Sequence, residues 1–166
     1  GSQRLLKLIK KDITLDQAKK AVKWCREVGI ETKAFFMLGL PTETVEDSKQ
    51  TIKFTRELDP DMIQVTLTIP YPGTELYNMA RADGTLNSMN WEDYQTWAGW
   101  SDKNLVFVPK GRDAEELKEL QKKTMRDFYL RPKVVLRMIS KIKSYDMLKM
   151  YFIGAYALVE SKLSKN

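Results

Sequence analysis

The stretch AFFMLGLPTET, Ala34 to Thr44, decides the fold. An apolar, aromatic run meets a Gly-x-Pro and turns at once into hydroxyl and carboxylate side chains. A nearly unbroken apolar run is typical of a parallel strand that is covered on both faces. The pattern therefore predicts such a strand over residues 31–40, ended by Pro41 and followed by a helix.

The neighbouring sequence continues an alternation of helix and strand. Thr14 and Gln17 form a capping box at the start of a helix, and Gly29 is a natural stop for it. The stretch DMIQVTLTIP, residues 61–70, is β-branched and alternating, which predicts a second strand. Residues 1–82 thus follow the helix–strand rhythm of a parallel sheet. The inward apolar positions predicted for the two main helices are Ala18, Ala21, Val22, Cys25 and Val28, then Val45, Ile52, Phe54 and Leu58.

The chain changes character after this point. Residues 83–112 form an aromatic-rich connector, in which NLVFVP favours a short strand. Residues 113–166 form a helical extension: one helix is capped by Asp113 and Glu116, and Pro132 begins the next. The connector holds Trp91, Trp97 and Trp100. The apolar stripes predicted to pack the last two helices together are Val135, Met138, Ile139 and Ile142, then Leu148, Tyr151, Phe152, Ala155 and Leu158.

Two parallel strands do not make a stable sheet alone, and their apolar edges would be unpaired. We therefore expect an α/β fold that is the second half of a partial, TIM-like (β/α) barrel, with a C-terminal helical extension. The expected partner is the missing N-terminal part of the same barrel. The alternative is that the strand edges pair between copies of the chain and so form a homo-oligomer.

Composition excludes several classes of site. With no histidine and one cysteine, Cys25, the chain has no Cys/His zinc site, Ser-His-Asp triad or internal disulfide. We therefore expect no catalytic residue and no metal ligand, and we interpret Cys25 as a small apolar helix residue. No apolar run approaches the roughly 20 residues of a membrane span, so a cytoplasmic chain is expected. The leading Gly1-Ser2 is either native or a remnant of cloning.

The net charge of +6 is uneven. Residues 1–109 carry 14 Lys and Arg against 15 Asp and Glu, whereas residues 110–166 carry 14 against 7. A solvated helical face explains this excess, and so does contact with an anionic membrane surface, an acidic partner or an anionic substrate. Nucleic acid is disfavoured, because no recognisable nucleic-acid motif is present.

The end of the first strand is the candidate site. Gly39 has no Cβ, so a ligand or another backbone can approach it closely, and ligands bind at the carboxyl ends of parallel strands. A tight turn with nothing bound is the alternative. The period of two puts Phe35, Met37 and Gly39 on one face. A polar stripe on the second strand lines a cavity, or else its hydroxyls bond to each other; its members are Gln64, Thr66 and Thr68.

Four stretches carry a family resemblance: GSQRLLKLIKK, GLPTET, PYPGTELY and RDFYLRPKVVLRMI. The first three resemble the second half of the radical S-adenosylmethionine (SAM) barrel, where the opening stretch looks like the run after the fourth strand. The last resembles the helical extension of the cobalamin-binding branch of that family. That branch includes the anaerobic magnesium-protoporphyrin monomethyl ester cyclase and hopanoid-modifying enzymes. The resemblance implies a parent that cleaves SAM reductively to a 5′-deoxyadenosyl radical, with a 4Fe–4S cluster and cobalamin, for methylation, cyclisation or rearrangement of a porphyrin- or lipid-like small molecule.

The resemblance also implies roles for individual residues. It places Met37, Gly39, Ile69 and Pro70 beside SAM, and it turns Phe35, Gln64, Thr66 and Thr68 toward the substrate cavity. Glu43 stands one residue later than the acid of the family motif.

The family's CxxxCxxC cluster loop is missing from this chain. We therefore expect a fragment that is inactive alone and binds no cofactor itself. Two other hypotheses remain at this point. The chain is a stand-alone module whose basic and aromatic residues bind a protein, nucleic acid or anionic surface, or it comes from a methylthiotransferase-type radical enzyme. The latter needs a β-rich C-terminal domain, where this sequence predicts helices.

Overall fold

The computed structural model describes residues 1–96, 98–101 and 103–163, without the side chains at 98, 155 and 157–163. Two strands and seven α-helices are found in this part of the chain, with two single 3-10 turns in the connector. In chain order the elements are α1 (Gln3–Leu8), α2 (Leu15–Glu27), β1 (Lys33–Leu38), α3 (Val45–Leu58), β2 (Met62–Leu67), α4 (Glu75–Ala82), α5 (Ala114–Tyr129), α6 (Pro132–Ser140) and α7 (Tyr145–Leu163).

The two strands pair in parallel and are joined by the crossover helix α3, as the sequence predicts. Phe36 pairs with Val65, and Leu38 pairs with Leu67. These four side chains are buried, because α3 packs on β1 and α5 packs on β2. The main core therefore lies between one face of the sheet and these two helices.

The prediction that both faces of β1 are covered is wrong for this chain. Phe35 is 69% exposed and Met37 is 44% exposed, because the helices that cover the sheet lie against the opposite face. The apolar run is therefore only half buried by the residues that the structure describes.

The outer edge of β2 is bonded by residues outside the sheet. Tyr129 Oη, at the end of α5, donates to the Ile63 carbonyl at 2.7 Å and accepts from the Ile63 N–H at 3.0 Å. Farther along the strand, the Leu67 N–H donates to the carbonyl of Thr96 in the connector at 3.2 Å. The sequence predicts two open edges, but the structure leaves only β1 without a neighbour on its outer side among the described residues.

The helix ends follow the sequence closely, with one difference. The capping box at Thr14 and Gln17 is confirmed, and Pro132 is the first residue of α6. Asp113 caps α5 by accepting the Glu116 N–H at 2.9 Å. The Glu116 carboxylate makes an ion pair with Arg112, so the predicted box at this position is satisfied from one side only.

Several predicted inward positions point outward. Val28 is 70% exposed and Val45 is 45% exposed, because each lies at the end of a helix, beyond its packed segment. On α6 the fully buried residue is Val134, whereas Ile139 is 57% exposed. On α7 Phe152 is 72% exposed. The side chains of Ala155 and Leu158, and all of Trp97, lie outside the described residues.

The predicted strand NLVFVP is reduced to a single bridge. Phe107 pairs with Leu86 in an antiparallel bridge, and Leu105, Val106 and Phe107 are all buried. The apolar side chains of this short segment therefore fill the core from a buried loop rather than from a strand.

Candidate functional site

The exposed face of the sheet brings the predicted cavity residues together. Phe35 pairs with Gln64 and Met37 pairs with Thr66 in the parallel register. Directly paired residues of neighbouring strands share one face, so these four side chains form one continuous surface, here called the open sheet face. It presents a ring, a thioether, an amide and a hydroxyl, a mixture suited to an apolar ligand with polar substituents.

The carboxyl ends of the two strands meet at the predicted rim. Gly39 follows β1 directly, and the Thr68 N–H donates to the Leu38 carbonyl at 2.9 Å. Gly39 has a φ of +78°, and a Cβ there would lie 3.3 Å from Leu117 on α5. The left-handed backbone and the packing of α5 therefore explain this glycine without a ligand. Contact with SAM stays a prediction for its backbone.

The threonines of the second strand bond to the first strand. Thr66 Oγ1 donates to the Phe36 carbonyl at 3.3 Å, and Thr68 Oγ1 donates to the Leu38 carbonyl at 3.0 Å. These bonds occupy the hydroxyl protons while leaving oxygen lone pairs available. Beyond the strand, Ile69 is half-buried and Pro70 is fully buried. The two threonines thus hold the rim together, and their contact with a substrate stays a prediction.

Glu43 is directed into the protein rather than toward the rim. Its carboxylate accepts the Leu40 N–H at 2.8 Å and a hydrogen bond from Ser48 Oγ. Burial raises the pKa of Glu43, against the opposing effect of these hydrogen bonds and of Arg112. A buried carboxyl that is bound to the N–H two residues beyond β1 fixes the conformation of the Gly39–Leu40 turn.

Arg112, which sequence reasoning missed, comes from the connector and binds residues 43–48, which follow this turn. Its guanidinium is 2% exposed, and Nη1 donates to Ser48 Oγ at 2.9 Å and to the Thr44 carbonyl at 3.3 Å. Nη2 binds Glu116 at 3.1 Å. The one available signal was the i,i+4 spacing of Arg112 and Glu116, which is common on exposed helices and therefore uninformative.

The residues do not fit an iron–sulfur cluster. Such a cluster needs three or four cysteine thiolates, whereas Cys25 is the one cysteine in the sequence and lies half-buried on α2. The described residues also contain no group of three His, Cys, Asp or Glu side chains that could hold a metal. Within the described part of the chain, no helix has the length and hydropathy needed to cross a membrane.

Comparison with known proteins finds relatives over most of the chain, although no family model matches it. An uncharacterized methyltransferase of Pyrococcus horikoshii is 39% identical over 137 residues, which are 82% of this chain and 28% of the relative. The anaerobic magnesium-protoporphyrin IX monomethyl ester cyclase of Rubrivivax gelatinosus is 34% identical over 77 residues, 46% of the chain and 14% of the relative. The cytidylyl-2-hydroxyethylphosphonate methyltransferase of Streptomyces wedmorensis is 28% identical over 138 residues, 79% of the chain and 25% of the relative. The chain therefore spans less than a third of the length of each of these three proteins.

Proposed function

We propose that this chain forms the carboxyl-terminal part of a radical SAM enzyme. Its homologues include methyltransferases and cyclases of that family. In this proposal β1 and β2 are the last two strands of a partial barrel. The open sheet face is the inner wall of that barrel, and the Gly39 turn belongs to its ligand-binding rim. The observation that carries the proposal is the 39% identity to a methyltransferase over 82% of the chain.

Two features of the sheet support this arrangement. The face with Phe35 and Met37 is exposed, while the opposite face is covered by α3 and α5. A barrel wall has its helices on one side and faces the interior on the other. The edge of β2 is occupied by α5 and the connector, whereas β1 has no strand on its outer side among the described residues. A preceding strand would therefore join at β1.

Methyl transfer is the reaction that we favour for the whole enzyme. Methyltransferases align with 82% and 79% of the chain, whereas the cyclase aligns with 46%. SAM would supply the radical chemistry when bound, and the residues that would hold it here are Met37, the Gly39 turn and Ile69. We also propose that cobalamin carries the methyl group and that the substrate is a porphyrin- or lipid-like molecule. The cluster would come from another part of the protein, since this chain lacks its ligands.

The test uses the longer protein that contains this chain. After anaerobic reconstitution we expect SAM-dependent formation of 5′-deoxyadenosine. Met37→Gln should weaken SAM binding, because an amide replaces an apolar contact. Met89→Gln is the matched control, since Met89 is 67% exposed in the connector. A protein that forms no 5′-deoxyadenosine, or equal SAM binding by the two variants, would contradict the proposal.

The isolated chain provides a second test. We expect it to bind neither an iron–sulfur cluster nor SAM measurably, because its sequence has one cysteine and its described residues form two strands. Iron–sulfide reconstitution followed by absorption spectroscopy and equilibrium dialysis with SAM would check this. A cluster approaching one per chain would overturn the assignment of cluster binding to another part of the protein.

A second candidate function rests on the exposed apolar residues of the last two helices. Leu136 is 67% exposed on α6, and Phe152 and Ile153 are 72% and 58% exposed on α7. Lys143 and Lys149 are exposed in the same part of the sequence. An apolar surface with basic residues beside it suits an anionic membrane surface. Co-sedimentation with phosphatidylglycerol vesicles tests this, and binding should fall in Leu136→Ser and persist in the control Met89→Ser.

A further inference from the structure

A cavity of about 450 Å³ lies at the opposite end of the sheet from the Gly39 rim. It opens beside Met62, the first residue of β2, and most of its lining residues come from α5, α6 and α7. Its volume falls within the usual range for small-molecule sites, roughly 300–1,000 Å³. Because the site proposed above lies at the carboxyl ends of the strands, this cavity belongs to a separate region of the molecule.

The walls of the cavity are soft and apolar. Four of the eight methionines of the chain line it: Met62, Met125, Met138 and Met150. Unbranched thioether side chains adapt to the shape of a flexible apolar molecule. Gly154 of α7 also lines the cavity, and a Cβ at this position would meet no atom within 4 Å.

One end of the cavity is charged and holds an unused donor. Arg137 Nε is buried and has no hydrogen-bond partner within the described part of the chain. The Asp61 Oδ1 atom is 3.8 Å from it, which is too far for a hydrogen bond. Beside it, Lys141 Nζ lies 2.8 Å from both Asp61 Oδ1 and Glu31 Oε1. A buried N–H without an acceptor is costly, so an acceptor from a ligand would be favourable here.

The charged residues that line this end are balanced, with Arg137 and Lys141 against Glu31 and Asp61. They belong to an ion-pair network that joins five cations to three carboxylates among the described residues. The cations are Arg26, Arg131, Lys133, Arg137 and Lys141, and the carboxylates are Glu31, Asp59 and Asp61. A guanidinium donor bonds a charged acceptor more strongly than a neutral one, so a negatively charged acceptor is preferred at Arg137.

We propose that this cavity binds an amphipathic carboxylate, with its apolar chain among the four methionines and its carboxylate on the Arg137 Nε donor. The ligand class follows from the volume, the thioether side chains and the charged residues of the lining. A free fatty acid has this chemistry, and so does any other molecule with an acyl chain that ends in a carboxylate.

The probe is decanoate, with 1-decanol as the uncharged molecule of equal chain length. In titration calorimetry of the full chain we expect decanoate to bind at least about tenfold more tightly than decanol, a difference of about 1.4 kcal/mol. With isotope-labelled methionine methyl groups, NMR shifts should move for the four cavity methionines. They should stay unchanged for Met37, Met79, Met89 and Met147, which do not line it.

Two variants, each with a matched control, test the two parts of the site. Gly154→Leu fills the cavity and also improves the helix propensity of α7, so it should abolish binding while the chain stays folded. Its control is Ile153→Phe, an enlargement at an exposed neighbour outside the cavity. Arg137→Lys keeps the charge and removes the Nε donor, and should weaken decanoate about tenfold. Its control is Arg131→Lys, which joins the same Asp59 cluster without lining the cavity.

Several results would overturn the proposal. Equal affinity for decanoate and decanol would show that the cavity does not recognise the carboxylate. Shifts at Met37 or Met89 would place the binding elsewhere, on the open sheet face or the connector. Unchanged binding in a folded Gly154→Leu variant would exclude the cavity itself.

Discussion

The side-chain amide of Gln121 donates a hydrogen bond to the main-chain carbonyl of Val65 in β2 at 2.8 Å. The same amide nitrogen donates to the Thr96 carbonyl at 2.8 Å, and the amide oxygen accepts the Gly99 N–H at 2.9 Å. Gln121 is fully buried. One glutamine of α5 thus bonds the outer edge of β2 and fastens the connector to it, in the place where a further strand would otherwise pair.

Replacing this glutamine should be strongly destabilising. Gln121→Leu has a similar size but leaves two buried main-chain groups, the Val65 carbonyl and the Gly99 N–H, without these partners, and each such loss costs about 1–3 kcal/mol. The Thr96 carbonyl keeps its hydrogen bond from the Leu67 N–H. We expect the free energy of unfolding in urea to fall by about 2 kcal/mol or more. Gln50→Leu, at an exposed position on α3, is the control and should change it by less than about 0.5 kcal/mol. Equal stability of the two variants would mean that the edge of β2 is held by other contacts.

The edge of β1 should make the chain self-associate. It has no neighbouring strand on its outer side among the described residues, and the open sheet face beside it exposes Phe35 and Met37. Unpaired strand edges and apolar surface favour pairing between chains. Light scattering should show a mass that rises with concentration, and Phe35→Lys should reduce this rise more than Met89→Lys does. A monodisperse monomer at high concentration would contradict this prediction.

The sequence was most informative where the local pattern and the tertiary packing agree. The strand at residues 33–38 was predictable because its apolar run ends at Gly39 and Pro41. The start of α2 was predictable because Thr14 and Gln17 satisfy each other within one turn. The coverage of β1 was not predictable, because an apolar run does not reveal whether its second face is buried by this chain or by another.

The packed face of α6 shows why helix periodicity alone was insufficient. Val135 and Ile139 repeat with the correct spacing, but Val134 is the residue with no exposed surface. The orientation of α6 is set partly by charge: Arg137 donates to the Pro60 carbonyl at 2.7 Å, and Lys141 binds Asp61 at 2.8 Å. These two partners lie about 80 residues earlier in the sequence, so no local pattern could identify them.

Substitutions on α6 should distinguish its two faces. Val134→Asp would place an unpaired carboxylate in the core, and we expect a loss of about 3–5 kcal/mol in the free energy of unfolding. Ile139→Asp should cost much less, below about 1 kcal/mol, because the side chain is 57% exposed. Thermal and urea unfolding of both variants would check this. A larger loss of unfolding free energy for Ile139→Asp than for Val134→Asp would show that α6 packs by the face that its periodicity predicts.

The candidate site was predictable in outline only. The period of two correctly places Phe35 and Met37 on one face, and the register confirms that Gln64 and Thr66 share it. The contacts that Arg112 makes with the start of α3 were not predictable, since Arg112 and Ser48 are 64 residues apart in the sequence. Contacts of this kind depend on the path of the connector, which has no repeating pattern.

Asp61 should make the stability of the chain depend on pH in the acid range. Burial alone would raise its pKa, but hydrogen bonds from Lys141 and Thr32 reverse this and lower the pKa to about 2, from 3.8. Because the pKa is lowered in the folded state, the unfolded chain takes up the proton first as pH falls. The stabilisation is therefore complete well above 3.8 and is lost as pH falls toward the folded value.

The size of the effect is measurable. The full difference between the two pKa values corresponds to about 2 kcal/mol, of which about 1 kcal/mol should be lost by about pH 3. Asp61→Asn cannot gain this stabilisation, so it should be less stable than the parent at about pH 6, and the gap should narrow by about 1 kcal/mol at about pH 3. Other titrating groups, Glu43 among them, are present in both proteins and largely cancel in the comparison. The control Asp12→Asn changes an exposed carboxylate, and its difference from the parent should stay nearly constant with pH. A constant gap for Asp61→Asn as well, measured by urea unfolding, would show that the hydrogen bonds of Asp61 to Lys141 and Thr32 do not stabilise its charged form.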